Sequence, residues 1–194
     1  MTSQPDNMEL SSEDQSGLVE LAHQSIRHGL HHGRQPPVDT AGHSLPLQAK
    51  RASFVTIKLE DNLRGCVGTL EAQYPLVLDI VKNAYAAAFS DPRFPPLTKQ
   101  EYAHIKLSIA LLNPSVAIEC TCEEELIACL KPGIDGVSVE EGAGYHATFL
   151  PAVWQTLTDR REFIRQLKLK AGLPRDYWSP TLRFRRYTTQ IIAL

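Results

Sequence analysis

The chain has 194 residues, 43% of them hydrophobic and 22% charged, with a formal net charge of −2. This length fits one domain, or one domain with a lobe, and no apolar run approaches the roughly 18 residues that a membrane span requires. Met1 to Ser16 is polar and acidic without the apolar core of a signal peptide, so a cytoplasmic location without membrane association is expected, with Cys66, Cys120, Cys122 and Cys129 as reduced thiols.

Charge is unevenly distributed. Residues 151–194 carry nine Lys or Arg against three Asp or Glu, a net of +6, which leaves −8 for residues 1–150. Arg183, Arg185 and Arg186 stand beside Phe184 and Tyr187, a basic and aromatic mixture compatible with a nucleic-acid surface or with an ordinary solvated face.

In chain order, residues 1–12 read as a disordered N-terminus and residues 13–194 as a single domain. Leu18, Leu21, Ala22, Ser25, Ile26 and Leu30 recur at helical spacing, which predicts an amphipathic helix from about Asp14 to His32, with Ser11 or Ser12 as cap and Gly33 as stop. His28 and His32 share one face of it, but no Glu accompanies them as in a metalloprotease-type motif, and Cys120, Cys122 and Cys129 lack zinc-ribbon spacing, so no metal site is predicted. Residues 34–50, with three prolines, form a long connection without periodicity. Ser53 to Leu59 alternates as a strand, and Asp61-Asn62 turns it into a second strand containing Leu63-Arg64-Gly65-Cys66-Val67-Gly68-Thr69. Strict alternation places Arg64, Cys66 and Gly68 on one face. There the guanidinium would favour the thiolate, and Gly68 would leave space beside the sulfur; the alternative is a buried small thiol with glycines serving packing.

Pro75 opens an apolar helix through Ala88, stopped by Ser90-Asp91-Pro92-Arg93-Phe94-Pro95-Pro96-Leu97, a loop stiffened by three prolines. It can hold Asp91 and Arg93 against a ligand, or the two can simply pair. A strand from Ile105 to Leu111 is interrupted at Asn113-Pro114 and resumes near Val116 to Cys120. A short helix follows from about Thr121 to Leu130. A second hairpin spans Gly136 to Leu150, Pro151 opens another helix, Asp159 caps a further one ending at Gly172, and Leu182 to Tyr187 closes the chain as a strand whose pairing Ile191-Ile192 is expected to extend. Hairpin, proline and helix thus occur twice, which suggests a duplicated hairpin–helix unit. The fold class is α+β, with a mainly antiparallel sheet flanked by helices.

The ordered set Phe54-Val55-Thr56, Leu63-Arg64-Gly65-Cys66-Val67-Gly68, Ala88-Phe89-Ser90-Asp91-Pro92-Arg93-Phe94-Pro95-Pro96-Leu97, Gly133-Ile134-Asp135-Gly136, Thr148-Phe149-Leu150-Pro151 with Val153-Trp154, and Lys170-Ala171-Gly172-Leu173 resembles the AMMECR family, called AmmeMemoRadiSam system protein A in bacteria. The resemblance runs from about Leu18 to Tyr187. It implies an α+β domain with a large lobe from the N- and C-terminal parts and a smaller α/β lobe in the middle. It also implies a functional centre at the Leu63–Gly68 motif, association with a Memo-like protein and a radical S-adenosylmethionine enzyme, and a connection with RNA modification; it names no reaction or cofactor. Three positions depart from the family pattern: Tyr145 and His146 stand where basic residues are frequent, and Lys106 where an acidic one is common.

Two functions follow. In the first, Cys66 is a nucleophile or ligand activated by Arg64, with Asp91 and Arg93 fixing a small-molecule or RNA substrate in a cleft to which Gly65, Gly68, Phe94 and His146 contribute binding. In the second, the glycine-flanked strand and the proline loop bind a protein or nucleic acid without catalysis.

Overall fold

The computed structural model describes residues 10–193, so the expected disordered segment lies outside the described residues except for its last three positions. There Leu10 is buried, and Ser11 caps helix α1 (Ser12–His32), its hydroxyl accepting from the Asp14 N–H while Asp14 accepts from the Ser11 N–H. Gly33 ends α1 in the left-handed conformation, φ 67°. The long connection holds one short helix, α2 (Leu45–Gln48). Strands β1 (Ser53–Leu59) and β2 (Asn62–Gly68) follow, then α3 (Leu76–Phe89), α4 (Lys99–Tyr102) and β3 (Ile105–Leu112). Beyond Asn113 come β4 (Val116–Ala117), α5 (Glu123–Cys129), β5 (Gly136–Glu141), β6 (Tyr145–Phe149), a 3-10 helix (Pro151–Gln155), α6 (Arg160–Lys170), β7 (Arg183–Tyr187) and β8 (Thr189–Ala193).

The fold is α+β, and the chain forms two compact units. The first runs to Leu112 and is rejoined from Gln190; the second is Asn113–Thr189. Each has its own four-stranded sheet, ordered β2-β1-β3-β8 in the first and β4-β7-β5-β6 in the second. The strand predicted to resume at Val116 therefore starts a different sheet, and the Ile191-Ile192 extension returns to the first. Both hairpin–proline–helix segments are present, β1-β2-α3 and β5-β6 followed by the 3-10 helix and α6; the second proline opens a 3-10 helix of five residues.

In the first unit, the inward residues of the sheet, Val55, Ile57, Leu107, Ile109 and Leu111, bury against Leu18, Ala22 and Ile26 of α1 and Ile80, Ala84 and Ala87 of α3. The β1–β2 turn is Glu60-Asp61, one residue earlier than predicted, and both take left-handed backbone angles, φ 50° and 66°. Such a two-residue turn matches the twist of the paired strands, and Lys106 Nζ holds Asp61 from the neighbouring strand at 2.7 Å. At the other end of the hairpin, buried Asp79 of α3 accepts hydrogen bonds from Ser53, Thr69 and Asn83. Burial pushes the Asp79 carboxyl above its usual range.

The second unit packs α6 on its sheet, with Phe163 stacked on Trp154, ring centroids 3.7 Å apart. The Trp154 indole N–H donates to the Asp135 carbonyl. Lys168, fully buried, is neutralised by Glu123 and lies over the Trp178 ring. The arginines of β7 stand on an interior strand, and Arg185 donates to the Ser115 hydroxyl and carbonyl.

What brings α3 onto the hairpin is Gly65. A Cβ there would lie 2.1 Å from the Ala87 carbonyl oxygen, a backbone atom that cannot move aside. Gly65→Ala is therefore expected to cost about 3 kcal/mol or more of unfolding free energy, read as a lowered urea midpoint, whereas alanine at Gly17, where nothing lies within 4 Å, leaves the midpoint unchanged or raises it.

Candidate functional site

The site is built on the edge of the first sheet. β2 pairs on one side only, with β1, and the register steps from Ile57 opposite Gly65 to Lys58 opposite Leu63, which makes Arg64 the extra residue of a β-bulge. The bulge interrupts the alternation that would have set Arg64 beside the Cys66 thiol. Arg64 is instead buried to 8% exposure; its Nε and Nη2 donate to the two carboxylate oxygens of Glu101 at 2.8 and 3.2 Å, and Nη2 donates also to the Pro95 carbonyl. Glu101 is held by α4, whose start is a capping box with Thr98. The Arg64 guanidinium, with the Thr98 N–H and hydroxyl, lowers the Glu101 carboxyl from 4.5 to about 2.

Downstream of the bulge the strand is regular, and Cys66 faces Thr56 across the ladder. The Thr56 hydroxyl donates to Cys66 Sγ at 3.4 Å, and Cys66 is half-buried. The outward backbone groups of Cys66 are taken by the proline loop. Its N–H donates to Asp91 Oδ2 at 2.9 Å, and Arg93 Nη2 donates to its carbonyl at 3.2 Å. Asp91 and Arg93 also meet each other through two side-chain hydrogen bonds, 2.9 and 2.7 Å, and a third from the Arg93 N–H to Asp91 Oδ1, so the pair that the sequence allowed is present and is tied to the strand. Asp91 is 5% exposed, and the bonds from Arg93 and the Cys66 N–H hold its carboxyl far below the usual carboxylate range. The same pairing raises the Arg93 guanidinium. Both cations lie over the Phe94 ring, Arg64 Cζ at 5.7 Å and Arg93 Cζ at 5.5 Å from its centroid, and the ring is half-buried.

Cys66, Arg64, Asp91, Arg93, Gly65 and Phe94 are thus gathered within one unit. The space beside Gly68, however, is not open: a Cβ there would meet the Phe54 ring at 2.2 Å and the Ser53 carbonyl at 2.4 Å. His146 belongs to the second unit, where on β6 it pairs opposite Glu140 of β5 and is exposed. Sequence reasoning missed Glu101; its signal was the Thr98-x-x-Glu101 spacing of a capping box. Neither of two cavities of about 240 and 290 Å3 is lined by Cys66 or its partners. Among the described residues, no group of three or more His, Cys, Asp or Glu is placed to hold a metal ion, and no helix is long and apolar enough to cross a membrane.

Two measurements test this geometry. An outward amide on a sheet edge ordinarily exchanges with solvent, so the Cys66 N–H should be protected by Asp91, and Asp91→Ala should raise its hydrogen-exchange rate at least about tenfold while the Val55 amide in β1 changes little. Folding lowers the Glu101 carboxyl, so its stabilisation is complete above pH 4.5 and is lost as pH falls through about 2. Glu101→Gln is expected to be about 1–2 kcal/mol less stable at pH 7, with the gap closing toward pH 2 in paired urea titrations.

Comparison with known proteins agrees with this architecture. The AMMECR1 family model matches residues 19–192. A protein from Methanopyrus kandleri is 35% identical over 191 residues, covering 94% of this chain and 89% of its own, and one from Thermococcus gammatolerans is 37% identical over 185 residues, covering 90% and 87%. The crystal structure of an uncharacterised protein from Pyrococcus horikoshii superposes with a TM-score of 0.84 at 34% identity, covering 94% of this chain and 92% of that one. With a family match over nearly the whole length and relatives above 30% identity along most of it, the chain belongs to the AMMECR1 family.

Proposed function

We propose that this chain is a binding module whose recognition surface is β2 with the Asp91–Leu97 loop, and that its partner is a protein, with the Memo-like protein and the radical S-adenosylmethionine enzyme as the first candidates. One observation carries the reading. The groups that would assist chemistry at Cys66 are already committed: Arg64 to Glu101 and Pro95, and Asp91 to Arg93 and the Cys66 N–H. The loop nevertheless offers an exposed arginine side chain, 53% accessible, beside a half-buried phenylalanine. Arginine and aromatic residues held rigidly are the usual anchors of protein interfaces, because little conformational freedom remains to be lost on docking. Strand addition at Cys66 itself is blocked, since Asp91 and Arg93 occupy its N–H and carbonyl.

A second reading, catalysis at Cys66, has one observation in its favour: the sulfur is half-buried rather than enclosed, and receives a hydroxyl donor from Thr56. The readings separate in one set of experiments. Calorimetric titration with the Memo-like protein should give binding that Phe94→Ala weakens about thirtyfold, that Cys66→Ser changes less than about twofold, and that depends only modestly on salt. Binding to RNA instead, falling steeply with salt, would replace the protein partner with a nucleic acid. Alkylation of Cys66 much faster than that of Cys120, Cys122 and Cys129, together with loss of function in Cys66→Ser, would favour catalysis.

A further inference from the structure

The motif Gly133-Ile134-Asp135-Gly136 has no part in the Cys66 surface, yet within the second unit it borders a cavity of about 240 Å3. Strand pairing explains where the cavity lies. Arg186 of β7 stands opposite Val116 of β4 on one side and Val137 of β5 on the other, and Pro114 and Asp135 come two residues before these, so alternation brings Pro114, Val116, Asp135 and Arg186 to one face of the sheet. Farther along that face, Phe184 and Val139 are buried in the core with Phe163 and Leu167 of α6. At this end the cavity is lined instead by Lys131 and Ile134, from a turn closed on itself: the Lys131 carbonyl accepts from the Ile134 and Asp135 N–H groups, and Asp135 Oδ2 accepts from the Lys131 N–H.

Three charged side chains border this one cavity, and among the described residues none of them is in an ion pair. Arg186 is half-buried and makes one long bond, Nη1 to the Cys129 carbonyl at 3.4 Å, which leaves its Nε and Nη2 to an incoming group. Asp135 is 4% exposed; its Oδ2 is used by the turn, whereas its Oδ1 has no partner and is not among the atoms sealed from solvent. Lys131 is exposed at the rim. A half-buried guanidinium without a counter-ion and an open carboxylate oxygen each cost free energy that a ligand of the opposite charge recovers, and here the two stand too far apart to neutralise each other. A second observation is independent of charge. Val116 and Ile134, 53% and 55% exposed, present apolar surface to the same cavity although the unit has its own core.

We propose that this cavity binds a free α-amino acid with an aliphatic side chain. Arg186, with Lys131 at the rim, takes the carboxylate; Asp135 Oδ1 takes the ammonium; Pro114, Val116 and Ile134 receive the side chain. The volume equals that of about eight water molecules, which suits a molecule with the number of non-hydrogen atoms in valine or leucine. A peptide terminus carries only one of the two charges, whereas a free amino acid bears both on one carbon and so bridges Arg186 and Asp135.

L-Leucine is the test probe. Isocaproate lacks its ammonium, isoamylamine lacks its carboxylate and glycine lacks its side chain. In methyl 1H–13C spectra of the full chain, leucine should shift the Val116 and Ile134 signals saturably, with a dissociation constant on the order of a millimolar or lower, and each of the three controls should bind at least about fivefold more weakly. Arg186→Gln should weaken leucine binding at least about tenfold. Asp135→Asn keeps an oxygen for the Lys131 N–H; it should weaken leucine at least about tenfold while changing the weaker isocaproate binding less than about twofold, a difference that mere loosening of the turn would not produce. Ile134→Ser, at an exposed position that the fold does not need, should weaken leucine at least about threefold. The proposal is overturned if leucine produces no saturable shift up to its solubility limit. It is equally overturned if isocaproate binds as tightly as leucine and Asp135→Asn affects neither, which would make the cavity a site for carboxylates alone.

Discussion

An edge strand leaves every second backbone N–H and carbonyl without a partner, and in β2 this requirement falls on Cys66. Asp91 resolves it by presenting a carboxylate where a neighbouring strand would present a carbonyl, while Arg93 presents an N–H to the Cys66 carbonyl. The loop therefore acts as a one-residue strand made of side chains. Its other features depend on that contact: Arg93 can reach the carbonyl only because Asp91 grips its Nε and Nη2, and Phe94 is positioned by its own N–H donating to the Asp91 carbonyl. A buried carboxylate is tolerable only with this many donors, and here the donors come from two segments, so charge neutralisation and loop attachment are the same set of bonds.

The register of that contact is set by α3. Gly65 allows the Ala87 carbonyl to approach β2, and the Leu97 N–H donates to the Ala88 carbonyl, so the last turn of the helix fixes both the strand and the far end of the loop. Between these two points the three prolines restrict the backbone, and Arg64 ties the middle of the loop through the Pro95 carbonyl. A bulge is what turns Arg64 in that direction. In a regular strand its side chain would share the face of Cys66 and would leave Glu101 unpaired.

The elements with strong period were legible in the sequence: α1, β1 and α3 lie within a few residues of their expected ranges because their apolar spacing, caps and prolines agree. What depends on pairing was not. A bulge leaves no mark on the alternation of Leu63 to Gly68, since Arg64 is polar and Gly65 has no side chain, so Arg64 read as a neighbour of the thiol. The space at Gly68 is filled by Phe54, a contact across the ladder that depends on register. Val116 and Ile191 read as extensions of nearby strands, but a chain that crosses between units at Asn113 and returns near Gln190 divides them between two sheets. Glu101 lies in a helix of four residues, too short for periodicity to detect, and only its capping spacing with Thr98 signalled it.

Charge balance around Cys66 constrains what this surface can recognise. Arg64 is matched by Glu101 and Arg93 by Asp91, each through paired short bonds, so the two cations that suggested an anion site are neutralised locally. Both cations also lie over the Phe94 ring, which helps to hold it in place. Arg64 is buried under its Glu101 and Pro95 bonds, whereas Arg93 keeps Nη1 outside its bonds on a side chain that is half exposed. An incoming group therefore meets one directional donor, a fixed aromatic edge and a stiff proline wall, with no net positive charge to attract it. On the proposed reading, such a surface would select by shape and by a single well-placed hydrogen bond, which suits a folded protein partner better than a phosphate backbone.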